Sequence, residues 1–165
     1  MDEPQPYAIT ELDERSPHLP TIAAWLNAEW GAAQGYSLDQ TLAWCHDTAG
    51  DDEQCLLAAL ADEQLLGAVL VVHCDLPSHA HLRPWVSGLY VDRAERGQGI
   101  GAALAQAASD WTRRRHPALY LFAPEGRLVA FYSGLGWHPL EAFSREGVGY
   151  RIMQKQFPPS AHTPR

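Results

Sequence analysis

The sequence predicts an α/β protein of the α+β type: a mixed, mostly antiparallel central sheet flanked by helices, in the order βααβββαβαββ. Two observations carry this. Apolar runs at Cys55–Ala61 and Leu65–His73, separated only by Asp62-Glu63-Gln64, read as a hairpin of buried strands. Farther on, strand, glycine turn, long amphipathic helix and strand succeed one another from Trp85 to Ala123, which is one βαβ crossover. An antiparallel start joined to a single crossover gives a mixed sheet.

Each element has a local reason. Tyr7–Leu12 can form the first strand. Pro17 opens a stretch in which Leu19, Ile22, Ala23, Leu26 and Trp30 share one helical face, and Gly31 ends it. Ser37-Leu38-Asp39-Gln40 is a capping box, so a second helix runs to about Ala49. After the hairpin, a polar loop from Asp75 to Pro84 leads to the strand Trp85–Val91. A long helix from about Gly99 to Arg115 turns Ile100, Leu104, Ala107, Ala108 and Trp111 inward until Pro117 stops it. Ala118–Ala123 reads as a strand, Arg127–Leu135 as a short helix, and strands near 137–143 and 149–157 complete the order. The Pro-containing ends, the first five residues and the tail after Phe157, are expected to fray.

Length and composition bound the rest. A chain of 165 residues is one ordinary domain, with an ordered core at about 7–157. Lys plus Arg number 12 and Asp plus Glu 20, a formal charge of −8, which speaks against nucleic acid or an anionic membrane as partner. The balance suits a cationic substrate, although solubility alone also accounts for it. The acidic start Met1-Asp2-Glu3-Pro4 is unlike a signal peptide, and no apolar run approaches the ~20 residues of a membrane span. A cytoplasmic location is expected. Cys45, Cys55 and Cys74 have no disulfide or zinc-knuckle spacing. His73, Cys74, Asp75, His79 and His81 crowd one loop but match no common zinc pattern, so no metal is expected there. Arg113-Arg114-Arg115 most simply complements a helix C-terminus.

The informative segment is Leu89-Tyr90-Val91-Asp92-Arg93-Ala94-Glu95-Arg96-Gly97-Gln98-Gly99-Ile100-Gly101. Three glycines in five residues before a helix cost backbone entropy and supply no packing. They are useful where the chain bends sharply and a ligand approaches the N–H groups of a helix N-terminus, a ready seat for phosphate oxygens. A tight turn without a ligand is the plainer reading. Gly97-x-Gly99-x-x-Ala102 also matches a dinucleotide fingerprint, with Glu125 after the next strand, but the polar link Asp92–Arg96 and the antiparallel strands before it disagree with that context.

Arg96-x-x-Gly99-x-Gly101, between strand and helix, resembles the acyl-CoA-binding motif of the GNAT superfamily of N-acetyltransferases. The stretch from Gly88 to Leu104 is similar to that family's central strand, loop and helix. Leu119–Trp137, ending in Phe131-Tyr132-x-x-x-Gly136-Trp137, is similar to its next strand and helix. The resemblance implies that acetyl-CoA is the acyl donor, with its pyrophosphate on Arg96, Gly97, Gln98, Gly99, Ile100 and Gly101. It implies that the pantetheine arm pairs with the strand at Leu89, Tyr90 and Val91, where neighbouring parallel strands splay. Tyr132 then supplies a proton to the departing sulfur. No metal is involved, and the partner is a small-molecule or peptide amine, with a homodimer as a family-level expectation.

Two departures from the family pattern stand out. Trp85-Val86-Ser87-Gly88-Leu89 lacks the strand carboxylate that serves many members as base, which leaves Asp75 and Glu29 as substitutes. Glu125 stands where many relatives have an Asn that contacts the cofactor arm, and a carboxylate cannot donate that hydrogen bond. Trp30 and Trp85, at element ends, are the expected substrate-pocket aromatics, while Trp25 and Trp44 read as core. The expected activity is transfer of an acetyl group from acetyl-CoA to a primary amine by direct attack in a ternary complex. The alternative is a non-catalytic acyl-CoA-binding module.

Overall fold

The computed structural model describes residues 6–158; most of the two segments expected to fray lie outside them. Strands β1 (Ala8–Leu12), β2 (Cys55–Ala61), β3 (Gln64–Val72), β4 (Trp85–Val91), β5 (Ala118–Pro124), β6 (His138–Arg145) and β7 (Val148–Gln156) alternate with helices α1 (Leu19–Leu26), α2 (Leu38–Ala49), α3 (Ile100–Arg113) and α4 (Arg127–Gly134). The order of elements is the expected βααβββαβαββ. The sheet runs β1-β2-β3-β4-β5-β7-β6. The pairs β1·β2, β2·β3, β5·β7 and β6·β7 are antiparallel, and β4·β5 is parallel.

The chain forms two compact units, one from the stretch through Val72 together with Ser87–Ala108, the other from His73–Val86 together with the stretch from Ser109. In the first unit the hairpin of β2 and β3 is the core. Cys55–Ala59 and Leu66–Val72 are buried, which is why both strands read as unbroken apolar runs instead of alternating ones. Leu19, Ile22, Ala23 and Leu26 are the buried stripe of α1. Ser37 caps α2 as its sequence requires: Ser37 Oγ accepts from Gln40 N at 3.0 Å, and Gln40 Oε1 accepts from Ser37 N at 2.8 Å.

The second unit is built on β5, whose antiparallel register with β7 runs from Ala118↔Gln156 to Pro124↔Tyr150. Leu119, Leu121, Ile152, Met153 and Trp137 are buried there. Helix α3 buries Ile100, Leu104, Ala105 and Ala108 within the first unit and Trp111 within the second; Ala107, expected on that face, is half-buried.

Strand β4 is not regular throughout. Gly88 has φ +65, a left-handed conformation inside the strand, so the chain bends there. A Cβ built at Gly88 would meet the Leu26 and Leu70 methyls at 3.2–3.4 Å. Before the bend, Trp85–Ser87 are buried; from Gly88 to Val91 the strand is half-buried. Gly88→Val combines a disfavoured φ with crowding, and should destabilise the fold by about 1–3 kcal/mol. Thermal unfolding checks this: a midpoint equal to that of the unaltered protein would mean the bend does not depend on glycine.

Candidate active site

The glycine turn begins where β4 ends. Asp92 N donates to Leu66 O at 2.8 Å, which ties the strand's exit to β3. The Asp92 side chain accepts from Ala94 N at 3.5 Å, and Arg93–Glu95 form a single 3₁₀ turn. Arg96 Nε donates to Val91 O at 2.9 Å, while its guanidinium lies 5.1 Å from the centre of the Tyr90 ring. Gln98 Nε2 donates to Glu95 Oε1 at 3.2 Å.

Gly97 and Gly99 then take φ +85 and +82, positions where an L side chain is strained. A Cβ built on either meets nothing within 4 Å, so glycine is needed there for backbone conformation and not because protein atoms crowd it. Gly101 is different. It lies inside α3 without a positive φ, where glycine costs about 1 kcal/mol relative to alanine. Its conformation does not demand glycine; what glycine provides is bare backbone in the first helical turn.

Ala103 N donates to Gly99 O at 3.0 Å, closing the first turn of α3. The N–H groups of Ile100, Gly101 and Ala102 therefore precede the first i→i−4 acceptor, at the positive end of a 14-residue helix. Exposed Gly97, Gln98 and Gly99 lead into them. Bare, exposed backbone with outward N–H groups fits phosphate oxygens, and these residues are the ones that could hold a pyrophosphate.

Beside the turn, Tyr90 is the centre of an aromatic group in the first unit. Its ring lies 5.2 Å from Trp25 and 6.4 Å, edge-on, from Trp30. The sequence pattern puts Trp30 on the buried stripe of the first helix and also in a pocket; the structure places it 41% exposed. The reason is a π-helical turn, Asn27–Gly31, that continues α1. A turn wider than 3.6 residues rotates its side chains off the Leu19–Leu26 stripe. Asn27 Nδ2 holds that segment by donating to Tyr36 O at 2.9 Å and Thr41 Oγ1 at 3.0 Å. Glu29 lies in the same π turn and is exposed.

Tyr132 belongs to the second unit and is buried on α4, its ring between Phe131 at 5.0 Å and Trp137 at 5.9 Å. Its carbonyl accepts from both Leu135 N and Trp137 N, at 2.9 and 3.1 Å, which closes the helix at Gly136, φ +95. Burial raises the phenol's pKa above its ordinary ~10, so the group keeps its proton throughout the physiological range.

Glu125 lies at the corner between β5 and α4. Its backbone N donates to Gly149 O at 3.0 Å, and Glu125 Oε2 accepts from Arg151 Nε and Nη2 at 3.1 and 2.8 Å. The carboxylate that stands where the resemblance implies an Asn is thus paired with a cation of β7. Parallel pairing of β4 with β5 is recorded at one register pair among the described residues, Trp85↔Tyr120.

Trp85 is a correction to the sequence reading. It is 0% exposed, packed on Tyr120 and Phe122 at 5.8 and 6.3 Å, and its indole N–H donates to Leu82 O at 2.6 Å. A ring enclosed in this way with its donor satisfied is a core residue and offers no face to a substrate. Its place at a strand end suggested a rim, but that end carries Pro84, whose carbonyl accepts from Tyr120 N at 3.0 Å and holds the position inside the unit.

Asp75 is half-buried in the loop after β3 and already has an interaction partner. In the same loop His79 sits between Ser78 Oγ and Glu141 Oε2, at 2.8 and 3.0 Å, and stacks on His81. Among the described residues no group of three or more His, Cys, Asp and Glu is arranged to hold a metal ion. Cys45 is buried, which pushes its thiol up to about 12, while Cys74 is exposed.

Sequence reasoning passed over Gly88, Arg151 and the rings around Phe122. A glycine inside a strand pattern is a readable sign of a bend. The other two depend on strand register, which a single sequence does not display.

The model of the acetyltransferase (GNAT) family matches residues 19–137. No curated protein matches the chain. Among solved structures, the chain is similar to a GCN5-related N-acetyltransferase from Kribbella flavida, with 21% identity, 94% of this chain and 100% of that one covered, and a TM-score of 0.73. It is similar to yncA from Salmonella typhimurium, solved with its cofactor acetyl-CoA, at 16% identity, 93% and 95% coverage and a TM-score of 0.71. It is also similar to an aminoglycoside 6'-N-acetyltransferase complexed with coenzyme A, at 17% identity, 90% and 96% coverage and a TM-score of 0.69. At these identities the likeness is one of fold.

The Glu125–Arg151 pair should show a coupling of about 0.5–1 kcal/mol in a double-mutant cycle of Glu125→Gln and Arg151→Gln, since both groups are partly solvated, and less in high salt. Zero coupling at low ionic strength would contradict a pair that holds the corner before α4.

Proposed function

We propose that this chain, which belongs to the acetyltransferase (GNAT) family, is an N-acetyltransferase that moves an acetyl group from acetyl-CoA to a primary amine in a ternary complex. Residues 7–157 act as one acetyltransferase domain. The observation that carries the reading is the left-handed pair Gly97 and Gly99 directly before the bare first turn of α3. Gly97, Gln98, Gly99, Ile100 and Gly101 hold the pyrophosphate through main-chain N–H groups, beside Arg96, whose own N–H donates to Arg93 O at 3.5 Å. The half-buried end of β4, at Leu89, Tyr90 and Val91, offers backbone groups for the pantetheine arm to pair with like an added strand.

Acetyl-CoA supplies an acetyl group activated as a thioester. The chain's own residues then need to position a neutral amine, steady the carbonyl oxygen and stabilise the leaving thiolate. Tyr132 serves the last purpose. Its raised pKa keeps it protonated, and full transfer to a thiolate of reference pKa ~8.5 runs uphill, so its contribution is a hydrogen bond that strengthens as charge develops on sulfur.

An alkylamine of pKa ~10.4 must lose a proton near pH 7, roughly 3.4 units or ~4.6 kcal/mol. Glu29, exposed in the π turn beside Trp30, is the first candidate to receive it, and Asp75 the second. Trp30, exposed beside Tyr90, presents an aromatic face suited to a cationic acceptor.

The absence of a carboxylate from β4 favours one other reading, an acyl-CoA-binding module. Thiol release from acetyl-CoA across a panel of amines separates the two. Acetyl transfer gives thiol with at least one amine, whereas tight binding with no release supports the module.

Gly99→Val should weaken coenzyme A binding at least tenfold, because the side chain strains the turn and occupies the space above it. Unchanged affinity in calorimetry would remove the turn from the site. Tyr132→Phe should lower kcat by about 10²-fold with the KM for acetyl-CoA within about threefold. Unchanged turnover would remove Tyr132 from the mechanism.

A further inference from the structure

Three rings of the second unit pack together beneath one positive charge. Phe143 on β6 and Tyr150 on β7 are directly paired in register, and their rings stack at 5.3 Å with 14° between planes. Phe122 on β5 pairs with Ile152, two residues along from Tyr150 and on the same sheet face. Its ring stands edge-on to both others, 5.8 Å from Phe143 and 5.9 Å from Tyr150. Over this group lies the guanidinium of Arg145, 5.5 Å from Phe122, 5.9 Å from Phe143 and 5.8 Å from Tyr150. Each ring is therefore within the ~6 Å at which a cation feels an aromatic face.

The rings are half-buried, whereas Arg145 is exposed at the end of β6, where the hairpin turns through Glu146 and Gly147 at φ +53 and +80. The cage is built into three paired strands; its cation hangs from a strand end by a side chain that can rotate away without disturbing a strand hydrogen bond. Phe122 sits two residues past Tyr120, toward the carboxyl end of β5. Helix α4, which carries Tyr132, starts three residues after that strand ends at Pro124. Ligands of open α/β sheets sit at the carboxyl ends of the strands.

We propose that Phe122, Phe143 and Tyr150 form a subsite for an organic cation, a guanidinium or alkylammonium group, and that Arg145 is a resident stand-in which the ligand displaces. Taken with the acetyl-transfer reading, on which this part rests, the acceptor carries two nitrogens: one becomes neutral and is acetylated, the other stays charged in the cage. Diamines and guanidino-amines are the matching substrate class.

The test has a binding arm and a kinetic arm. Tetramethylammonium chloride is titrated at constant ionic strength while the Tyr150 ring protons, or the Phe143 ring protons where Tyr150 is replaced, are followed by NMR. Binding should be several-fold tighter in Arg145→Gln than in the unaltered protein, retained in Tyr150→Phe, and reduced at least fivefold in Tyr150→Leu and in Phe143→Leu made on the Arg145→Gln background. In the kinetic arm, 1,4-diaminobutane should show a KM about tenfold below that of butylamine, a gap that widens in Arg145→Gln and closes in Phe143→Leu.

Should a leucine variant fail to fold, as circular dichroism reports, Arg145→Gln and Tyr150→Phe still decide the binding arm. No gain of affinity in Arg145→Gln, or affinity lost in folded Tyr150→Phe, overturns the cage. Cation binding without acetylation of any amine leaves the cage standing and overturns the acetyl-transfer reading. Acetylation with equal KM for the two amines and no tetramethylammonium binding does the reverse.

Discussion

The passage from β4 into α3 is governed by backbone conformation more than by packing. Two residues of this link, Gly97 and Gly99, are left-handed, and any other L residue would pay about 1–2 kcal/mol at each. The link is nevertheless well held. Asp92 N is bonded to Leu66 O, and Arg96 is fastened both to Val91 O and over the Tyr90 ring. Past the two glycines, α3 starts at Ile100 with its first N–H groups free of intrahelical acceptors and its dipole behind them. The same contacts connect the turn to Trp30 through Tyr90, so that the proposed cofactor seat and the proposed acceptor aromatic meet at one ring.

Much of the fold is legible in the sequence, for physical reasons that act locally. The capping box at Ser37 and Gln40, the apolar runs of β2 and β3, and the stop at Pro117 are decided within a few residues, and their elements begin and end within a residue or two of expectation. The π turn at Asn27–Gly31 is not legible, because its extra residue per turn leaves composition and approximate spacing unchanged while moving Trp30 off the buried stripe. Trp85 misleads for a related reason: position at an element end says nothing about whether Leu82 and Pro84 fold over it. The Arg151 partner of Glu125 and the ring cage come from strand register across β5, β7 and β6, and register is a property of paired strands and not of any one segment.

Burial and charge divide the proposed chemistry between groups. Tyr132 lies among aromatic neighbours, and burial makes it a firmly protonated donor. The carboxylates that could accept a proton from an amine, Glu29 and Asp75, lie instead in the π turn after α1 and the loop after β3. Strand β4 carries no acidic residue between Trp85 and Val91, so both candidate carboxylates lie outside the strands.

Amide NMR with coenzyme A asks whether main-chain hydrogens of the turn grip a diphosphate. The N–H signals of Gly97, Gln98, Gly99, Ile100 and Gly101 should move downfield and exchange more slowly when coenzyme A is added, and adenosine, which lacks the diphosphate, should leave them in place. Coenzyme A binding with those five signals unmoved, or the same shifts produced by adenosine, would refute the grip.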